Sequence, residues 1–343
     1  MAHGMRAKTS IWRARLLRSW EKPNLLTVLL TPLSGLYYLA YRLQRLLYER
    51  QVFKRYQSPV PVIVVGNLTV GGSGKSPVVA ALVTQLEGRG LRVGVISRGY
   101  QRASTQARSV DASTPVEEVG DEPAMIYQQT GAPMAVATTR EAAIKHLLAQ
   151  HSLDAILSDD GLQHWPLNAD YRICIDDRSV ETSNRWVLPA GPYREPRGRL
   201  NTMDWVLIHR DEKPEVPSQN EFWLETKALK PVSVVAKASS VVPPEPGSGR
   251  VHLVAGIAKP SRFFKSARAL GWEGYEHVFA DHHQFRLSDL QFPDSRAIVM
   301  TEKDAIKCRS FELPNAWCLP VRAQIPTQLI EALVRDLGLT ERR

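Results

Sequence analysis

An α/β fold built on a parallel sheet is the class that this 343-residue chain predicts, and three observations carry the prediction. Short β-branched runs (Val62 to Val65, Val93 to Ile96, Ala155 to Leu157) alternate with helix-period segments, the texture of strand-helix-strand units. The first run ends in a glycine-rich turn that leads into a helix. After about Arg210 a polar, proline-containing stretch intervenes, and a second series of the same kind starts at Val251. The chain therefore divides into residues 1–57, a basic apolar arm; 58–215, the sheet core; 216–250, a linker or β-ribbon; and 251–343, a smaller α/β lobe. Within 216–250, Ser233 to Lys237 has strand periodicity and Pro243 to Gly249 is a loop or hinge; a helix near Leu329 to Leu337 closes the last lobe.

The arm comes first and carries the net charge. The chain has a formal charge of +9; residues 1–57 hold eleven Lys or Arg (Arg6, Lys8 and Arg13 among them) against two acids, while the rest balances. Between Lys22 and Arg42 lie 19 uncharged residues that include Asn24, Pro32 and Gly35, a borderline run where a spanning helix wants about 20 mostly apolar residues. Pro32 is expected to break or kink a helix near Thr31, after which Leu33, Leu36, Tyr37, Ala40, Leu43 and Leu47 recur at helical spacing among Arg42, Arg45 and Arg50. That pattern suits an amphipathic helix lying in the interface of an anionic membrane, with Trp12, Trp20, Tyr37, Tyr38 and Tyr41 at headgroup depth. Nucleic acid is disfavoured as the partner, because apolar and aromatic residues dominate where phosphate-backbone binding needs little beyond charge. Deleting residues 1–57 should weaken membrane association, unless the arm is part of the core. The three cysteines, Cys174, Cys308 and Cys318, lack metal-ligand spacing and point to a reducing compartment.

The strand ending at Gly66 is followed by Asn67-Leu68-Thr69-Val70-Gly71-Gly72-Ser73-Gly74-Lys75-Ser76-Pro77 and then an apolar helix pattern. Strand, glycine-rich turn, Lys-Ser and helix is the order of a phosphate-binding P-loop, which predicts a P-loop NTPase-like core binding a nucleoside triphosphate and Mg²⁺. Residues Thr69, Val70, Gly71, Gly72, Ser73 and Gly74 let backbone amides approach the anion, Lys75 reaches the β- and γ-phosphates, and the Ser76 hydroxyl ligates the metal. The strict pattern wants glycine where Thr69 stands. The strand-like Ala155 to Ser158 ends in Asp159 and Asp160, the place from which a nucleotide-bound Mg²⁺ takes a carboxylate; successive strand residues face opposite ways, so the two differ in role.

Later residues leave alternatives open at this level. Asp121, in Gly120-Asp121-Glu122-Pro123, is either an N-cap or an active-site group at a strand's carboxyl end. Asp281-His282-His283 is a polar turn or a site, and Arg194 and Arg197 bind an anion or merely decorate a proline-rich loop. Thr301-x-x-Asp304 reads as a helix cap rather than a catalytic group.

Taken together, these blocks resemble the tetraacyldisaccharide 4'-kinase family nearly end to end: PLSGLY at Pro32, VGNLTVGGSGKSP at Val65, SRGY at Ser97, VGDEP at Val119, SDDGLQH at Ser158, LPAGPYREP at Leu188, VAGIAKPSRFF at Val254, DHHQF at Asp281 and MTEKDAIKC at Met300. The family's own phosphate loop departs from the strict pattern as Thr69 does. Gln101, Lys259 and Asn168-Ala169-Asp170 depart from what is usual in the family. The resemblance implies transfer of the ATP γ-phosphate to the 4'-hydroxyl of an acylated glucosamine disaccharide 1-phosphate, giving lipid IVA, by a peripheral or monotopic enzyme at the cytoplasmic face of the bacterial inner membrane. No stable protein partner is implied. It makes Asp121 the candidate base, hydrogen-bonded to His282, with Lys75 catalytic, Asp159 and Asp160 on the metal, and Glu195 and Arg194 as further site residues. With Asp121 and His282 assigned to different lobes, closure would assemble the pair. The alternative is a membrane-associated P-loop ATPase or GTPase switch without a lipid acceptor; such loops carry lysine before the paired glycines, where this chain has Val70.

Overall fold

The computed structural model describes residues 15–100, 102, 104–178, 184–209, 220–235, 244–247 and 249–340. The expectations placed on Arg6, Lys8, Trp12, Arg13, Gln101, 211–219, Ala236, Lys237, Pro243 and Ser248 lie outside them. In chain order the elements begin with α1 (Leu25–Glu49), β1 (Val62–Gly66), α2 (Lys75–Glu87), β2 (Val93–Ser97) and β3 (Arg108–Ser109). Next come α3 (Val116–Val119), α4 (Asp121–Thr130), β4 (Met134–Val136), α5 (Arg140–Leu148), β5 (Ala155–Asp159), β6 (Tyr171–Asp177), β7 (Trp205–His209) and β8 (Glu221–Trp223). The remainder is β9 (Glu225–Ala228), β10 (Val232–Ser233), β11 (Arg250–Ala255), α6 (Pro260–Ala269), β12 (Glu273–Val278) and β13 (Ile298–Thr301), then α7 (Glu302–Cys308), β14 (Ala316–Leu319), β15 (Val321–Gln324) and α8 (Thr327–Asp336). They form two compact units, residues 1–73 with 160–224 and residues 74–159 with 225–343.

The first unit holds parallel strands in the order β1-β6-β7-β8, in register at Val65↔Ile173, Ile173↔Trp205 and Leu207↔Phe222. Every residue of β1 is buried, as its unbroken β-branched run requires of a strand covered on both faces. Helix α1 belongs to this unit. It runs through Pro32 without the expected break. Proline removes a single amide donor, and the helix is held from its flank: the Ser34 hydroxyl donates to Val187 O at 2.8 Å and accepts from Ala190 N at 2.9 Å, and Thr31 Oγ1 donates to Thr27 O at 3.0 Å.

The polarity of α1 is inverted. Its buried positions are Thr27, Ser34 and Tyr41, seven residues apart on one stripe, while Leu25, Val28, Leu29, Leu33, Leu36, Leu39, Leu43 and Leu46 are exposed. Tyr41, expected at headgroup depth, is instead buried because its hydroxyl reaches Glu195. Among the described residues no helix is long and apolar enough to cross a membrane.

The second unit contains two sheets. In one, β4, β2 and β5 run parallel with antiparallel β3 at the edge. The other has the order β10-β14-β13-β11-β12, and its inner strands are parallel. Alternate residues of β11 feed opposite cores, Val251, Leu253 and Ala255 on one face with Phe263, Phe264 and Trp272, and Val254 on the other with Phe285 and Met300. An antiparallel ribbon pairs β9 with β15. The three cysteines are buried and unbonded.

Candidate active site

Two glycines shape the turn after β1. Gly71 (φ 109°) and Gly74 (φ 84°) sit where a side chain is disfavoured, and Gly74 is the residue from which α2 starts. Asn67 Nδ2 donates to Thr69 O at 2.9 Å and to Thr69 Oγ1 at 3.3 Å, and Val70 N donates to Pro192 O at 2.8 Å, so a threonine replaces the missing glycine by tying the turn down. The Ser73 hydroxyl is buried with no hydrogen-bond partner among the described residues. Lys75 and Ser76, in the first turn of α2, are buried with their backbone amides at the positive end of the helix. A buried lysine, a buried serine hydroxyl and a left-handed glycine cap are the donor set that a nucleotide phosphate chain requires.

The two adjacent aspartates occupy different environments. Asp159 ends β5 at 1% exposure, with its Oδ2 accepting from Ser97 Oγ at 3.4 Å and its carbonyl from Arg140 Nη2 at 2.7 Å. Asp160 adopts a left-handed backbone (φ 46°), and Arg194 grips its carboxylate with both terminal nitrogens at 3.1 and 3.2 Å. Arg194 also donates to Asn67 Oδ1 and, at 3.2 Å, to Asn67 O. The buried Asp159 and Ser76 fit a Mg²⁺, which takes one or two protein oxygens and the rest from phosphate and water.

Glu195, at 1% exposure, accepts from Gln163 Nε2 at 2.8 Å, Tyr41 OH at 3.2 Å and Arg199 Nε at 3.2 Å. Burial first, then the Glu195 charge, pushes the Tyr41 phenol up to about 12, so it stays a donor. Tyr37 OH donates to Arg194 O at 2.7 Å. Helix α1 thus holds two consecutive residues of the LPAGPYREP block.

Asp121 and His282 both lie in the second unit, bonded Oδ2 to Nδ1 at 3.1 Å. Asp121 is not the N-cap of its helix. Gly120 takes that position at φ 94°, where an added Cβ would meet Tyr100 O at 3.0 Å, and Asp121 opens α4 with its carboxylate free to turn to His282. Lys303 Nζ lies 3.3 Å from His282 Nε2, 3.4 Å from Asp281 Oδ1 and 3.6 Å from Glu122 Oε1. An ammonium only donates, so it assigns Nε2 as the acceptor and leaves the ring proton on Nδ1, facing Asp121. Burial alone would push the Asp121 carboxyl up. The His282 hydrogen bond and the ammoniums of Lys307 (3.9 Å) and Lys303 outweigh it and hold Asp121 below its ordinary range. Burial likewise opposes the charge on Lys303, and Glu122, Asp281 and Asp121 overcome it, raising its pKa.

Below the pair, Asp304 is fully buried and accepts from Gly256 N at 2.8 Å and Thr301 Oγ1 at 2.6 Å while pairing with Lys307 at 2.9 Å. Thr301 caps α7 through the Asp304 amide at 3.2 Å, as its spacing suggested, but the Asp304 carboxylate anchors a neighbouring loop instead of completing a reciprocal box. Lys303 and Lys307 were not singled out from sequence; the signal was there, in two lysines four apart after a cap. His283 turns away to Asp289 at 3.1 Å and packs on Phe279 and Phe285. Helix α4 packs on both α2 and α7, which brings Asp121 and Lys75 onto neighbouring helices.

The family model described as LpxK: Tetraacyldisaccharide-1-P 4'-kinase matches residues 26–338. The chain is 41% identical over 319 residues to the tetraacyldisaccharide 4'-kinase of Pseudomonas putida, covering 93% of this chain and 95% of that one. It is 42% identical over 310 residues to the tetraacyldisaccharide 4'-kinase of Pseudomonas fluorescens, covering 90% and 91%. Among solved structures, LpxK from Aquifex aeolicus in complex with ATP matches with a TM-score of 0.77 at 27% identity, over 91% of this chain and 100% of that one.

Proposed function

Since this chain belongs to the tetraacyldisaccharide-1-P 4'-kinase family, an ATP-dependent lipid A synthesis activity, we propose how its own residues divide the transfer of the γ-phosphate to the 4'-hydroxyl of tetraacyldisaccharide 1-phosphate, giving lipid IVA. Lys75 and the amides at the start of α2 neutralise and orient the phosphates of ATP. Ser76 and Asp159 are the residues that would hold Mg²⁺, which supplies charge neutralisation on the transferring phosphoryl group. Asp160, engaged by Arg194, sets the position of the loop carrying Glu195, at most an outer partner of the metal. Asp121 accepts the proton of the 4'-hydroxyl. Its depressed pKa keeps it ionised at neutral pH, and His282, oriented by Lys303, holds the carboxylate in position by donating from Nδ1.

The observation that carries this reading is a buried carboxylate at the head of α4, bonded to a partly buried imidazole and packed beside the helix that begins with Lys75. The exposed leucine row of α1 supports docking on the membrane as a peripheral or monotopic protein, and the need for ATP favours its cytoplasmic face. The test is transfer of label from γ-labelled ATP to the lipid acceptor in micelles. Asp121→Ala should lower turnover by at least about a hundredfold with nucleotide binding retained, and label released only to water would overturn the acceptor assignment.

A further inference from the structure

The first unit contains a cavity of about 130 Å³ that none of the roles above uses. Arg55, Arg172 and Arg199 line it together with His164 and Trp165, and Glu49, the last residue of α1, stands at its edge. Arg199 is committed to Glu195, and Glu49 to Arg45 at 2.6 Å. The side chains of Arg55 and Arg172 form no ion pair or hydrogen bond among the described residues, and Arg55 Nε is buried without a partner. Neither arginine is exposed. Burial, then the charge of Arg199, pushes the Arg172 pKa down; Arg55 adds to this, and Asp204 and Asp170 oppose it without pairing. The Trp165 ring meets the guanidiniums of Arg55 at 5.9 Å and Arg199 at 5.1 Å. Two half-buried guanidiniums left uncompensated beside a third are costly unless an anion joins them.

We propose that this cavity binds a phosphomonoester carried by an amphiphile. Its volume is enough to admit one phosphate group. Guanidinium forks match phosphate oxygens two at a time. The position at the end of α1, whose exposed row is apolar, selects a phosphate attached to acyl chains over a soluble one. Two sources share this chemistry: the 1-phosphate of the acceptor, which rests on the kinase reading above, and a phosphomonoester headgroup of the bilayer.

The experiment uses the full chain with Arg172→Gln, and Arg55→Gln as the second variant in case the strand substitution fails to fold. Kinetics are measured with the acceptor and with the same disaccharide lacking its 1-phosphate. Sedimentation is measured with phosphatidylcholine vesicles with and without phosphatidic acid. If the acceptor is the source, the lipid KM rises about 10- to 100-fold in the variants, ATP KM holds, and the difference from wild type vanishes on the dephosphorylated acceptor. If the bilayer is the source, acceptor KM holds while binding to phosphatidic acid vesicles falls tenfold or more. Equal KM and equal vesicle binding overturn the proposal, as does a loss of the same size on the dephosphorylated acceptor. Wild-type transfer to the acceptor in the same assay keeps the kinase reading standing whichever way the cavity falls.

Discussion

Replacing His282 by alanine removes the 3.1 Å hydrogen bond to Asp121, the largest contribution opposing the upward push of burial on that carboxyl. A hydrogen bond to a charged group contributes roughly 1.5–3 kcal/mol, and a pKa unit corresponds to about 1.36 kcal/mol. The Asp121 pKa should therefore rise by about one to two units. The sign follows from the ionised form being the active one: a base held below the ordinary carboxylate range loses activity only as pH falls through that depressed value. In His282→Ala the loss begins at higher pH, so the acid limb of kcat/KM shifts upward by the same one to two units while the alkaline side stays in place. A pH series of label transfer to the lipid acceptor, wild type against variant, reads this directly. An acid limb in the same position, despite lowered turnover, would refute the coupling of His282 to Asp121.

Lys75→Met should abolish transfer and weaken nucleotide binding, measured by titration with ATP, since no other lysine lies in the first turn of α2. Ser34→Val removes a donor to Val187 O and an acceptor for Ala190 N in a buried contact, and should cost about 1–3 kcal/mol in urea unfolding. Lys307→Met leaves the fully buried Asp304 without its ammonium and should cost about 3–5 kcal/mol, part of which Lys307→Met with Asp304→Asn restores.

How far the sequence could be read depended on whether the information was local. The phosphate loop was legible because its chemistry is written in consecutive residues, and β1, β2, β5 and β11 fell where β-branched runs placed them. Different roles for Asp159 and Asp160 were expected from strand alternation, but Arg194 as the partner of Asp160 was not, since 34 positions separate them. Asp121 and His282 lie 161 positions apart and were joined only through the family resemblance. Helical periodicity in α1 was legible, whereas the polar stripe it turns inward was not. The leucine row, read as membrane-facing, is exposed as expected, and only the carbonyls and carboxylate of residues 187–195 explain why serine and tyrosine form the buried stripe.

That inward stripe has a consequence for anyone preparing the enzyme. The usual way to obtain a soluble form of a membrane-bound catalyst is to cut off its anchor. Here the cut would also strip Tyr37 and Tyr41 from Arg194 and Glu195, and Ser34 from the loop before them, so the truncated protein would lose the scaffold of its own candidate site. A detergent-free form is better sought by recolouring the outside of α1, exchanging Leu29, Leu36 and Leu43 for polar residues while leaving Thr27, Ser34 and Tyr41 untouched.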